Sequence, residues 1–380
     1  MGRRFCNRRA HALHIVVYST GHGFGHASRD LEVARSLARL APEVRLHVRT
    51  PVAPWFVASA LEGRSHETSS IRLDTGIVQG DSLTQDLGAT ADACEALLAA
   101  RETLLAGEID FLRKVKADAV IADIPALPMA AAAHLGLPAI AFSNFTWSWI
   151  YRDLVDLEPR LAAVADAFDA DYAAADVLLR LPFHGGDHVA APFRETIDVS
   201  MVARRSALTP AEAKARLGLD PGRAAVLVSF GGLGPAALDI ERLSHIDGYT
   251  FIVTPPGPTR TAQNVRVLGT DEMTARGLRY ADLVRACDVV ATKPGYGIVS
   301  ECLANETRLL YTSRGRFAEY PVLVDAIDRY GTGAFIDNET LARGAWDDAL
   351  HALMRRPRRP CALATDGADD VARRFLARIG

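Results

Sequence analysis

Residues Tyr18 to Leu37 read YSTGHGFGHASRDLEVARSL and join a strand pattern to a helical one through a loop of glycines and histidines. Just before it, His14 to Tyr18 (HIVVY) is a continuous apolar run of strand length. Within and just after it, Leu31, Ala34, Leu37 and Ala38 recur at helical spacing. The change from strand to helix therefore falls between Thr20 and Ser28, in a loop that carries Gly21, Gly23, Gly25, His22 and His26. Glycines let the backbone approach a ligand closely, and the start of the following helix favours an anion or a developing negative charge. The two histidines add groups that titrate near neutral pH. The stretch predicts a ligand-binding corner.

Three familiar glycine-loop chemistries do not fit. A dinucleotide fingerprint needs glycine where this chain has His26, and an acidic residue about 20 positions on, at the end of the second strand. That strand, Val44 to Arg49, ends in Arg49 and Thr50, so no carboxylate is placed for a ribose hydroxyl. No Gly-Lys-Ser/Thr follows, which excludes a P-loop. His22 and His26 are four apart, but a zincin pair needs HExxH on a regular helix, and here glycines intervene. No metal site is expected.

The chain has 380 residues, 49% hydrophobic and 23% charged, the length of two ordinary globular domains. A net charge of -3 exerts no overall pull on nucleic acid, so no nucleic-acid partner is expected. Five scattered cysteines without a CxxC pair argue against a disulfide framework and suit a reducing, cytoplasmic compartment. Residues 1–11 are basic but precede only a strand-length apolar run without a small-residue cleavage site, and are read as a flexible tail. No apolar stretch of about 20 residues is present, so no transmembrane segment is expected, while peripheral contact with a membrane stays open.

Strand-like and helical runs alternate, the pattern of a parallel sheet covered on both faces. In the first half the predicted strands are His14 to Thr20, Val44 to Thr50, Ile71 to Asp74, Asp118 to Asp123, Pro138 to Ser143 and Val177 to Leu181, with one long helix from Thr90 to Lys116. A polar stretch from Arg204 to Asp220 reads as a linker, with Thr209 capping a short helix before Pro210. The pattern then restarts at Ala224 to Phe230 with its own glycine loop, Gly231 to Gly234. The reading is an α/β chain of two doubly wound, Rossmann-like domains facing across a cleft: tail 1–11, acceptor-side domain 12–203, donor-side domain 204–360, and a last helical segment 361–380 packing back on the first domain.

A second signal is ACDVVATKPGYGIVSE, Ala286 to Glu301. A strand ends in Lys293-Pro294-Gly295-Tyr296-Gly297, and Ser300 and Glu301 fall early in the next helix. Backbone N–H groups at that helix start suit a diphosphate, and a carboxylate one turn in can accept from ribose hydroxyls. A plain strand-turn-helix with Glu301 as a solvated dipole partner is the competing reading.

Taken together, Val17 to Leu37 and Ala286 to Pro321 resemble the GT-B fold glycosyltransferases of the lipid II N-acetylglucosaminyltransferase (MurG) type. A closer resemblance is to the glycosyltransferase-like N-terminal region of plant L-arabinokinases. It is carried by YSTGHGFGHASR, LDTGIVQGDSLTQD, NFTWSWIY, RLPFHG, PFRETIDVSMVARR, VSFGG, KPGYGIVSECL and FAEYPVL, over most of residues 14–335. No galactokinase-type stretch follows, so arabinose phosphorylation is not carried over.

The resemblance implies an inverting transferase moving a sugar from a nucleoside diphosphate sugar, a UDP-sugar before others, to a hydroxyl of a sugar or other acceptor. It implies that His26 is the base that takes the acceptor proton, a role requiring a pKa near the working pH. Asp123 then resembles the acid that pairs with such a histidine; a loop Asp capping the next helix is the alternative. Gly231 and Gly232 match the phosphate-facing loop, Gly295, Gly297, Ser300 and Glu301 the diphosphate and ribose segment, and Glu319 a residue contacting the donor sugar. The family handles the leaving diphosphate with helix dipole and backbone donors, so neither metal nor cofactor is expected beyond the donor itself. On the acceptor side the glycine loop with Gly21, His22, Gly23 and Gly25 is joined by Asp81, Asn144 and Trp147; the tryptophans suit sugar stacking, but core is the first reading for each. A non-catalytic nucleotide-sugar-binding module and a nucleotide-sugar epimerase on the same fold stay open as alternatives.

Overall fold

The computed structural model describes residues 12–80, 84–230, 238–254 and 264–380. Residues 1–11, Asp81, Gly231 and Gly232 lie outside the described residues. Among those described, β1 (His14–Ser19), β2 (Arg45–Arg49), β3 (His66–Ser69), β4 (Ala119–Asp123), β5 (Ala139–Ser143), β6 (Val177–Arg180) and β7 (Thr196–Asp198) form one sheet in the order β3-β2-β1-β4-β5-β6-β7. A second sheet holds β8 (Ala224–Ser229), β9 (Tyr249–Val253), β10 (Val265–Val267), β11 (Val289–Thr292), β12 (Arg308–Tyr311) and β13 (Gly333–Phe335), in the order β10-β9-β8-β11-β12-β13. Every pairing within both sheets is parallel.

Both orders reverse direction once, between β1 and β4 and between β8 and β11. At such a switch point neighbouring loops leave the strand ends in opposite directions and open a crevice there. The register fixes what lies at each crevice: Ser19 is opposite Asp123, and Ser229 is opposite Thr292. The glycine loop after β1 and the KPGYG loop after β11 therefore both begin at a switch point.

The central strands are buried on both faces, as parallel strands under helices must be. Along β1, Ile15 and Val17 enter one core while Val16 and Tyr18 enter another. The first of these cores is continuous between the two sheets, running from Leu31 and Leu37 through Leu227, Val299 and Cys302 to Val371 and Phe375. The last two belong to the C-terminal helix Gly367–Ile379, which lies on the helix Phe24–Leu40, where Ser36 Oγ donates to Asp369 Oδ1 at 2.6 Å. A separate core under the second sheet gathers Phe251, Trp346 and Leu350. No described helix is long and apolar enough to cross a membrane.

Local expectations failed in three places. The edge strand is His66–Ser69 and not Ile71 to Asp74. Leu73 and Asp74 instead turn inward, Leu73 into the core and Asp74 onto Thr20 and Trp147. The long helix from Thr90 divides into Leu87–Ala99 and Arg101–Val115 about Ala100, the first capped by Asp86 accepting from the Ala89 N–H. Strands β7 and β13 are three residues each, too short to show a periodic pattern.

Candidate active site

Two helices start at the crevices, and neither carries a capping side chain. Gly23 caps Phe24–Leu40 at φ 85°, a conformation open chiefly to glycine. Gly295 caps Tyr296–Ala304. Neither helix has an acidic residue in its first turn, so the first N–H groups of both lack an anionic side-chain partner. The two starts face each other closely: a Cβ built on Gly297 would lie 3.2 Å from the Gly25 Cα. Gly21 is confined for another reason, since a Cβ there would strike Pro51 at 2.3 Å.

His26 and Asp123 meet at the first crevice. The helix start brings the His26 ring over the end of β4, where Nδ1 lies 3.2 Å from Asp123 Oδ2, and the ring edge packs on Phe145. The His26 side chain keeps 16% of its surface open while Asp123 is fully buried. Burial pushes the Asp123 carboxyl up, but the Arg29 guanidinium and His26 outweigh it and hold the group well below the usual carboxylate range. In the tautomer with its proton on Nδ1 the ring would donate to the ionised Asp123 carboxylate and leave the free lone pair on Nε2. This is the arrangement of a general base with its orienting acid. Asp123 does not cap the next helix, whose N-cap is Ala126.

His22 sits differently. Its ring meets the buried Trp147 edge-on, with centroids 5.3 Å apart. Burial, with His26, Arg314, Lys293 and Arg72 nearby, pulls its pKa down to about 3. It is neutral at physiological pH and too weakly basic to compete for an alcohol proton. Trp147 itself is fully buried, its Nε1 donating to Asp74 Oδ2 at 3.0 Å, so it walls the loop from beneath and offers no open stacking face. Asp74 also accepts from Thr20 Oγ at 2.9 Å, which ties the glycine loop to the segment after β3.

Asn144, expected on the acceptor side, and Glu319, expected on the donor side, are in direct contact. Asn144 Nδ2 donates to Glu319 Oε1 at 2.7 Å, and Glu319 Oε2 pairs with Arg314 at 3.2 Å. The second crevice is more self-contained. Ser300 Oγ donates to the Gly297 carbonyl at 3.0 Å. Glu301 is buried and pairs with Arg204 of the linker, Nε to Oε1 2.5 Å. Burial pushes the Glu301 carboxyl up and Arg204 opposes it. Lys293 reaches back across the cleft and donates to Gln79 Oε1 at 3.2 Å. Among the described residues no group of three His, Cys, Asp or Glu side chains is placed to hold a metal ion.

Four participants escaped the sequence reading: Arg29, Asp74, Arg204 and Arg314. Arg29 left a trace, because it stands three residues after His26, on the same helix face, where a charge is out of place against a parallel sheet. Asp74 and Arg204 become visible only when distant segments meet, while Arg314 pairs with Glu319 five residues on.

No protein-family model matches the chain. Among solved structures it is similar to UGT89C1 of Arabidopsis thaliana complexed with UDP, with TM-score 0.62 and 15% identity over 97% of this chain and 99% of that one. A UDP-glucosyltransferase from Polygonum tinctorium superposes with TM-score 0.59 and 15% identity, over 97% of this chain and 98% of that one. The calicheamicin glycosyltransferase CalG4 does so with TM-score 0.57 and 14% identity, over 97% and 95%. The fold is GT-B. In sequence the chain is 29% identical to L-arabinokinase of Arabidopsis thaliana over 372 residues, which is 97% of this chain and 34% of that protein. It thus spans about a third of the length of this relative. In GT-B terms, the first sheet carries the His26 crevice and the second the KPGYG crevice, with the cleft between them.

Proposed function

We propose that this chain transfers a sugar from a nucleoside diphosphate sugar, UDP-linked before others, to a hydroxyl acceptor with inversion at the anomeric carbon. The observation that carries the reading is the His26–Asp123 pair placed at one switch point directly across from the uncapped helix start at the other. UDP complexes among the structural neighbours support the choice of nucleotide.

In this reading His26 Nε2 takes the proton of the acceptor hydroxyl as its oxygen attacks the anomeric carbon, and Asp123 stabilises the imidazolium that forms. The leaving diphosphate gathers charge at the start of helix Tyr296–Ala304, where open N–H groups and the helix dipole meet it, helped by Lys293. Glu301, kept in place by Arg204, has a second oxygen for the ribose hydroxyls, and Glu319 accepts from hydroxyls of the donor sugar. Asp123 is enclosed by Arg29 and His26, so it is poorly placed to form a covalent sugar intermediate, which supports a single displacement with inversion. Neutralisation by backbone donors and Lys293 makes the transfer independent of a metal. A cytoplasmic setting goes with the free thiols of Cys94, Cys287, Cys302 and Cys361.

The deciding experiment incubates the chain with UDP-, GDP- and dTDP-sugars, follows the melting temperature, and then assays transfer to an acceptor panel with and without EDTA. A UDP-sugar should raise the melting temperature in proportion to its affinity and concentration, and transfer should survive the chelator. Donor binding without turnover would assign a binding module. Isomerisation of the donor sugar without acceptor would assign an epimerase.

A further inference from the structure

Arg29 is buried on the helix Phe24–Leu40, one turn after His26, and nearly every donor of its guanidinium is engaged. Nε donates to Asp123 Oδ2 at 2.5 Å and Nη2 to Asp123 Oδ1 at 2.6 Å, a fork across both carboxylate oxygens. Nη2 also reaches Ser143 Oγ at 3.0 Å, and Nη1 donates to Asn144 Oδ1 at 2.7 Å. On its open side the guanidinium lies 4.7 Å from the centroid of Tyr296, which belongs to the second sheet's helix. The fork holds both oxygens of the Asp123 carboxylate, and the Oδ2 it grips is the oxygen that lies 3.2 Å from His26 Nδ1.

We propose that Arg29 is a positioning residue, which locks the Asp123 carboxylate so that His26 is held as the single tautomer with its proton on Nδ1 and its lone pair on Nε2. The inference deepens the transferase reading, since it matters for turnover only if His26 is the base. Two features separate it from plain structural pairing. A buried Arg–Asp pair brings little net stability, because desolvation of both charges offsets their attraction. A lysine would supply the same charge, whereas only the guanidinium fork fixes the carboxylate plane. Through Asn144, whose Nδ2 holds Glu319, the same guanidinium is also linked to the second domain.

The test compares wild type with Arg29→Lys and Arg29→Met, using nitrogen-15 spectra of the imidazole, with His26→Gln identifying the His26 signals. Wild type should show one Nδ1–H tautomer for His26, and Arg29→Lys a mixture of tautomers with the fold intact. If transfer is detected, kcat in Arg29→Lys should fall about 10- to 100-fold while donor affinity stays within about 3-fold, the pattern of a lost orienting contact. Should Arg29→Met fail to fold, the lysine variant decides alone. A single Nδ1–H tautomer retained in a folded lysine variant, or a mixture already present in wild type, overturns the proposal. The spectra answer whether or not transfer is found, so failure of the transferase reading is distinguished from failure of this one.

Discussion

His26 and His22 stand four residues apart on one loop, yet their surroundings give them opposite chemistry. His26 has a carboxylate against one nitrogen, whereas His22 has the edge of Trp147 beside its ring and cations around it. If His26 is the base, His26→Ala should lower kcat by about 100- to 10,000-fold and leave donor affinity near wild type, as steady-state kinetics and calorimetry will show. Asp123→Asn should give a smaller loss of the same kind, because it removes the charge that stabilises the imidazolium. His22 makes a separate prediction about stability. Its folded pKa of about 3 lies below the ordinary histidine value of about 6.5, so in the window between them the unfolded chain binds more protons. Stability contributed by His22 is therefore complete above about pH 6.5 and is lost as the pH falls towards 3. Urea unfolding at pH 7 and pH 5 should show a smaller acid loss for His22→Gln than for wild type. Equal losses would mean that His22 is not shielded from solvent protons.

The helix Tyr296–Ala304 combines an uncapped start with a buried acidic side chain one turn inside. Glu301→Ala would take both the hydrogen bond and the counter-charge from Arg204, whose side chain is 19% exposed, and so disturb the linker as well as the site; the informative variant is Glu301→Gln. It should weaken binding of a UDP-sugar by about 1 to 3 kcal/mol, the range for losing a charged hydrogen-bond partner, and lower the melting temperature of the free protein less than Glu301→Ala does, since Gln keeps a hydrogen bond to Arg204 but not the charge. Unaltered donor affinity in calorimetry would confine Glu301 to holding the linker. The same helix gives a steric prediction. Gly297 has no room for a side chain against Gly25, and the smallest one would already sit 3.2 Å from its Cα. Gly297→Val should hold the two helix starts apart, so that donor still binds while kcat falls about 100-fold, the cost of displacing reacting groups by about 1 Å. Unchanged kcat would show that turnover does not need the two loops in contact.

The two sheets are joined by contacts of unequal worth. At the rim Arg316 pairs with Asp156 at 2.6 Å, but both side chains are largely exposed and such pairs contribute about 0 to 1 kcal/mol. Inside, the line Arg29–Asn144–Glu319–Arg314 crosses the cleft through three buried groups and an arginine whose side chain is 10% exposed. Asn144→Leu would leave both an Arg29 donor and a Glu319 acceptor unsatisfied, costing about 1 to 3 kcal/mol for each. Hydrogen exchange should then speed up at the two glycine loops and stay slow in β1, β4, β8 and β11, whose cores do not depend on the contact. Uniform acceleration through both sheets would show instead that Asn144 holds up the first domain itself.

The central strands and the two glycine loops were legible because each is written in a short window, whereas the pairing of His26 with Asp123, 97 positions apart, came only from the family resemblance. HIVVY is apolar without interruption, GHGFGHAS changes period within a few residues, and VIADIP ends a strand on its acid. Strand Ile71 to Asp74 misled for the same reason: its apolar residues are real, but they fill the core from a loop, and sequence alone does not separate the two uses. The partners of the site were not legible. Arg29 to Asn144 spans 115 positions, Asn144 to Glu319 spans 175, and Arg204 to Glu301 spans 97. Periodicity carries no information across such distances. Local sequence chose which residues stand at strand ends, because burial pattern and glycine placement act over a few residues. The order of strands in each sheet, and the closing of one switch point on the other, determined which of those residues meet.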